Sequence, residues 1–136
     1  MARKRPEQAL QIALAKYLKH ALRAPTYWTS VDAGAGKMTA ASAGLRKARG
    51  VKAGFPDVLV MHPLGLNTLV VGIELKAKKG RLSDAQAATC EALWAANARY
   101  VECRSLEEVQ RCLERAGVPL HGYVAGTRPS EQERAA

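Results

Sequence analysis

The segment LVVGIELKAKKG, Leu69 to Gly80, decides the fold. Its apolar, β-branched first half has strand length. Side chains along a strand alternate between faces. Leu69, Val71, Ile73 and Leu75 therefore share a core face. Val70, Gly72, Glu74 and Lys76 share the other, where a carboxylate and an ammonium stand beside a glycine. Gly72 leaves room for another group to approach the sheet closely.

Working outward, Asp57 to Met61 is a second apolar run, and HPLGLN separates it from the first. The spacing predicts a hairpin. A turn centred on Leu64 to Asn67 pairs residues whose numbers sum to 131, which sets Asp57 opposite Glu74. Facing residues have Cβ atoms about 5 Å apart, and a like-charge pair there is destabilising. A divalent cation between the two carboxylates removes the conflict. Mg²⁺ suits such a site, because it takes oxygen ligands from one or two carboxylates plus waters and phosphate. A slip of one residue would destroy the pairing. Glu74 and Lys76 alone also fit a solvated ion pair on an outward strand face. The aspartate at the facing position argues against that simpler reading.

The remaining elements follow from periodicity. Pro6 to Arg23 reads as a helix, with Leu10, Leu14, Tyr17, Leu18 and Ala21 on one stripe. Tyr27 to Val31 reads as a strand, Asp32 to Lys37 as a glycine-rich loop, and Met38 to Arg49 as an alanine-rich helix. Leu82 to Asn97 is a predicted helix capped by Ser83, with Trp94 packed inside. Tyr100 to Cys103 is a short strand, and Leu106 to Ala116 a helix closed by Gly117 and Pro119. The strand aromatics Tyr27 and Trp28 are expected in the core. The order α, β, α, β, β, α, β, α predicts an α/β fold with a mixed central sheet flanked by helices. One domain over residues 1–126 is expected, with residues 127–136 a polar, flexible tail.

Charge is distributed unevenly. Met1 to Arg81 holds 15 Lys and Arg against 4 Asp and Glu, whereas Leu82 to Ala136 holds 6 against 8. The basic part suits a polyanion, and nucleic acid is the first candidate. Its four acids, Glu7, Asp32, Asp57 and Glu74, weaken attraction to phosphate, and holding a cation would account for them. No apolar run is long enough to span a bilayer, and the basic start lacks the apolar stretch of a secretion signal. A soluble, cytoplasmic protein with no membrane partner is expected. Cys90, Cys103 and Cys112 form no CxxC pair, and His20, His62 and His121 show no ligand spacing, so reduced thiols are expected in place of a zinc site. GAGK, Gly34 to Lys37, fails as a phosphate loop: Val31 replaces the first glycine and Met38 follows the lysine.

The elements EQALQIALAKYLK, GVKAGFPDVLV and GIELKAKKGRLSDAQ together resemble the VRR-NUC nucleases of the PD-(D/E)xK superfamily, of the small stand-alone phage and bacterial type. The resemblance spans Glu7 to Cys103. It implies a restriction-endonuclease-like core and hydrolysis of phosphodiester bonds in DNA. By position it makes Asp57 and Glu74 metal ligands, with the Leu75 backbone carbonyl and Glu7 as further ligands. Lys76 would orient the attacking water or stabilise charge on the phosphate, and Gln86 would line the site. The cofactor implied is Mg²⁺, with Mn²⁺ able to substitute. Junction-cleaving enzymes of this kind act as homodimers, so a structure-selective endonuclease acting at four-way (Holliday) junctions is the leading expectation. A non-catalytic DNA-binding module and an RNA-directed nuclease remain alternatives.

Glu7 and Gln86 each also fit a purely local role. Glu7 would favour a helix N-terminus by its charge alone. Ser83 and Gln86 match a capping box, in which the glutamine reaches back to the cap backbone. Both roles can hold for Gln86 if the helix starts beside the site. Lys37, Arg46, Lys47, Arg49, Lys52, Lys78, Lys79 and Arg81 form the basic clusters flanking the proposed centre and are candidate DNA-backbone contacts.

Overall fold

The computed structural model describes residues 6–31 and 39–135. The loop from Gly34 and the candidate DNA contact Lys37 lie outside the described residues. Helix α1 runs Pro6–Ala21, with proline in the first turn, where its missing N–H costs nothing. Leu14, Leu18 and Ala21 are buried, with Leu10 and Tyr17 partly so, as the stripe predicts. Strand β1 is Tyr27–Ser30 and helix α2 is Ala40–Ala48. Thr39 caps α2 by accepting from Ser42 N–H, which moves its start later than the sequence reading put it.

Strands β2 (Val58–Leu64) and β3 (Asn67–Leu75) form the expected hairpin. Their register runs from Val58 opposite Ile73 to Leu64 opposite Asn67, and every pair sums to 131. The turn is tighter than HPLGLN suggested. Only Gly65 and Leu66 lie outside the strands, with Gly65 at φ 62°, as a two-residue hairpin loop requires. Pro63 survives inside β2 because β1 pairs with β2 only as far as Met61, leaving that edge without a donor requirement.

Helix α3 (Asp84–Ala95) crosses over to β4 (Arg99–Cys103), which lies parallel to β3. Helix α4 (Leu106–Ala116) follows, ending at Gly117 in the left-handed conformation. The sheet order is β1-β2-β3-β4. This is the mixed, helix-flanked α/β sheet expected from the sequence, in keeping with a restriction-endonuclease-like fold.

The main core lies on one side of the sheet. Leu14, Leu18, Val58, Val60, Val71, Ile73, Leu75, Val109 and Leu113 pack there, joining α1 and α4 to the strands. Trp28 packs against this core, but Tyr27 on the opposite face is exposed. Buried Gln110 of α4 accepts from Val124 N–H at 2.7 Å and from the Tyr17 hydroxyl at 3.3 Å, and donates to Thr127 at 2.9 Å. The segment after α4 is thereby tied to both helices as far as Thr127. Beyond it, Glu131–Ala135 forms a short exposed helix, α5.

The second side is covered by α3, which has no fully buried residue. Trp94 is therefore not packed inside, contrary to the sequence expectation. It is 60% exposed, and its indole N–H donates to the Tyr100 carbonyl. The helix is seated instead by close backbone approach. A Cβ on Gly54 would lie 2.7 Å from Gln86 N, closer than atoms tolerate, and Gly54 has φ 86°. Across the sheet, a Cβ on Gly72 would lie 2.6 Å from Pro56 Cγ, so it is this proline that uses the room at Gly72.

Gly50 and Gly54 share the same backbone conformation, but nothing lies within 4 Å of a Cβ at Gly50. Gly50→Ala is expected to cost about 1–2 kcal/mol, from conformation alone. Gly54→Ala adds a collision with the start of α3 and is expected to cost roughly 2–5 kcal/mol. Urea unfolding of the two variants measures the difference; equal losses would mean that α3 does not rest on Gly54.

Candidate active site

The candidate residues gather at the C-terminal end of β3. Asp57 precedes β2, and its carbonyl accepts from Val31 N–H at 2.8 Å, which continues the β1–β2 pairing. Continuing the hairpin register by one residue sets Asp57 across from Glu74. The Asp57 carboxylate turns toward β3, where Oδ2 accepts from Leu75 N–H at 2.8 Å. Glu74 is only 3% exposed. Its Oε1 accepts from Gln86 Nε2 at 2.6 Å and lies 3.7 Å from Lys76 Nζ. Its Oε2 is buried with no hydrogen-bond partner. Lys76 is held by its own backbone N–H, which donates to the Cys103 carbonyl at 3.0 Å.

Gln86 does two jobs. Its side-chain oxygen accepts from Ser83 N–H at 2.9 Å, while Gln86 N–H donates to Ser83 Oγ at 3.2 Å, completing the capping box. Because the oxygen is engaged at the cap, the amide NH₂ is the end that faces Glu74. The helix cap thus fixes which end of the amide the site receives.

Glu7, in the first turn of α1, reaches the same end of β3. Its Oε1 lies 3.4 Å from Ala77 N, and a Cβ on Gly80 would lie 3.5 Å from that oxygen. Among the described residues, no three or more Asp, Glu, His or Cys side chains converge closely enough to hold a metal together. The oxygens best placed for a cation are those of Asp57 and Glu74, hard donors of the type Mg²⁺ prefers. The unpartnered Glu74 Oε2 fits that use.

Electrostatics reports the crowding. Burial first, then the charge of Asp57, pushes Glu74 up to about 7, with Glu7 adding to the rise and Lys76 opposing it. Asp57 is also raised by burial and by Glu7, against the pull of Leu75 N–H and Lys76. Three acids therefore act on one another here, although they do not close into a single ligand set.

The basic residues are carried by α2 with the loop after it and by the loop that leaves β3. Lys47, Arg49 and Lys52 are exposed, and Arg46 is half-buried, in α2 and the loop after it. Lys78, Lys79 and Arg81 are exposed in the loop that leaves β3. Residues 53 and 54 rest against α3, with Thr89 Oγ1 donating to the Ala53 carbonyl at 3.2 Å, so both loops border the start of that helix.

Arg104 was not expected from the sequence. Its guanidinium pairs with Glu102 and donates to the Gly80 carbonyl at 2.6 Å, anchoring the lysine-rich loop to β4. Arg104 N–H donates to Glu108 Oε2 at 2.6 Å. No local motif could reveal this, because the partner is a backbone carbonyl 24 residues away.

An α/β fold with an acidic pair and a lysine at the end of a central strand is the arrangement expected of a nuclease-type domain. The family model for the VRR-NUC domain matches residues 5–107. The chain belongs to the VRR-NUC family, a family of nuclease domains. Neither the curated proteins nor the solved structures compared with it gave a match.

Glu74 yields a prediction with a definite sign. The folded protein holds its proton up to about pH 7, against an ordinary value of 4.5. The folded state therefore binds more protons than the unfolded state across that window, and stability falls as pH rises through it. Glu74→Gln removes the penalty. In chelator, the variant is expected to be more stable than the wild type at pH 8, by on the order of 2–3 kcal/mol. The gain should vanish near pH 4.5. Thermal melts at both pH values check it, and a variant less stable at pH 8 would contradict it.

Proposed function

We propose that this chain is a metal-dependent, structure-selective DNA endonuclease that hydrolyses phosphodiester bonds, with four-way junctions as its foremost candidate substrate. The observation that carries the reading is the pair of half-buried Asp57 and buried Glu74, with Lys76 beside it and one carboxylate oxygen left unpartnered. Asp57 and Glu74 would hold Mg²⁺, with Mn²⁺ able to substitute, and Glu7 and the Leu75 carbonyl are the further ligands to test. A divalent cation there supplies polarisation of the phosphate and a hydroxide nucleophile near neutral pH.

The protein's own residues do the rest. Lys76 presents a cation beside the carboxylates, where it orients the attacking water and offsets charge growing on the scissile phosphate. Gln86 holds Glu74 Oε1 and so fixes the carboxylate's rotation. As the water oxygen bonds to phosphorus, the ester bond to the leaving sugar oxygen breaks; the attacking water gives up a proton to solvent and the leaving oxygen takes one from solvent. Lys37, Arg46, Lys47, Arg49, Lys52, Lys78, Lys79 and Arg81 would contact the DNA backbone, contributing affinity without sequence preference.

A homodimer suits a symmetric junction, because two sites related by a twofold axis meet two equivalent strands. We take residues 1–126 as the nuclease domain and the rest as a tail. Among the described residues, no helix is long and apolar enough to cross a membrane. We place the activity in the cytoplasm, where DNA is accessible.

The test is a panel of hairpin, flap, nicked and four-way junction DNAs, with an RNA competitor, in Mg²⁺, Mn²⁺ or EDTA. Cutting is expected with either metal and not with EDTA. Asp57→Ala should abolish it with folding retained, and Lys76→Ala should reduce kcat by roughly 10²–10³. Binding without cleavage would make the chain a DNA-binding module, and preferential cleavage of RNA would reassign the substrate. Equal cutting by wild type and Lys76→Ala would remove the lysine from the mechanism.

A further inference from the structure

Two buried polar side-chain atoms among the described residues have no hydrogen-bond partner: Glu74 Oε2 and the Tyr100 hydroxyl. They lie on the same side of the sheet. β3 and β4 pair in parallel with Gly72 beside Tyr100 and Glu74 beside Glu102. Paired residues share a face, so Tyr100 stands on the Glu74 face, two residues back along the strand. That offset is about 7 Å, a span a tyrosine side chain can bridge by leaning along the strand. Gly72 carries no side chain of its own, and Pro56 packs over it on that face.

Tyr100 is only 5% exposed, so solvent does not satisfy its hydroxyl. After burial, the charge of Glu74 is the largest influence holding that hydroxyl in its protonated form, ahead of Cys90, Asp57 and Glu102. A buried hydroxyl with nothing to bond is costly, and an orphan donor beside an orphan acceptor calls for a common cause.

We propose that Tyr100 is a positioning residue for Glu74, its hydroxyl donating to a single water that in turn donates to Oε2. No direct hydrogen bond joins the two atoms, and one water with polar groups on either side is a sufficient bridge. Glu74 is then gripped at both oxygens, by Gln86 at Oε1 and through Tyr100 at Oε2. Its carboxylate plane is fixed, and a lone pair on Oε2 stays directed at the cation. This inference rests on the proposed role of Glu74 as a ligand, but the link between the two side chains can be tested apart from it.

Tyr100→Phe removes the hydroxyl and keeps the ring, so folding should survive. Titration calorimetry with Mn²⁺ is expected to show binding weakened about tenfold, the effect typical of losing an outer partner of a ligand. In chelator, a double-mutant cycle with Glu74→Gln reads the link without any metal. The melting-point changes of the two single variants should fail to add, because the hydroxyl loses its charged acceptor in the glutamine background. An additive cycle overturns the proposal, as does Mn²⁺ affinity equal to wild type. A non-additive cycle in a protein that binds no divalent ion would sink the metal-dependent nuclease reading and leave the Tyr100–Glu74 link standing.

Discussion

The register of the β2–β3 hairpin is the constraint on which the rest depends. Val58 opposite Ile73 and Val60 opposite Val71 set one face of each strand into the core. With that face fixed, Asp57 and Glu74 have no freedom: both must emerge on the other side, next to one another. A slip of one residue would bury two carboxylates among leucines and valines, at a cost no local hydrogen bond could offset. The same aliphatic contacts that stabilise the sheet therefore force the acidic pair together. Core and site are set by one pattern of alternation.

Holding that pair requires donors, and the fold supplies them from backbone and helix ends. Leu75 N–H goes to Asp57, Ala77 N–H faces Glu7, and Gln86 bonds Glu74 from the first turn of α3. The N-termini of α1 and α3 both point their positive ends toward this corner. Gln86 shows how closely architecture and chemistry are joined. Its oxygen completes a helix cap and its nitrogen serves the site, so the cap that starts α3 also orients a group on Glu74. Gly54 contributes at one remove, since only a residue without a Cβ lets the Pro56–Asp57 loop and the first turn of α3 come this close.

Much of this was legible from the chain because the signals were local or periodic. The α4 boundaries, the stripe on α1, the hairpin register and the capping box all follow from spacing. The same spacing identified Asp57, Glu74 and Lys76 as neighbours, and the family resemblance added Gln86. What escaped has a common physical cause, contact with backbone or with a distant strand. Arg104 bonds a carbonyl, and carbonyls look alike in any sequence. Tyr100 looked like one more β-forming aromatic until the parallel pairing set it beside Gly72. Trp94 misled because an apolar helix was expected to be buried, whereas α3 is seated by close contact at Gly54 and leaves most of its indole exposed, with only the ring N–H tied to the Tyr100 carbonyl. His62 and Pro63 suggested a longer turn, since proline rarely joins a ladder; here β2 extends past the end of β1 and needs no donor there.

The charge asymmetry acquires a structural meaning once the site is described. Of the four acids in the basic part, Glu7, Asp57 and Glu74 act on one another at the end of β3, and Asp32 lies outside the described residues. The exterior of that region is left to Lys47, Arg49, Lys52, Lys78, Lys79 and Arg81. Opposite charges are thus sorted by depth: cations outside, where they can meet a polyanion, and carboxylates within, where they repel each other. The repulsion weakens the metal-free fold, and on the proposed function this is what draws a cation in. Any ion that binds the folded site and not the unfolded chain relieves the conflict and stabilises the protein through that same binding. On the proposed reading, the stability withheld by the acidic pair reappears as affinity for the metal that the reaction needs.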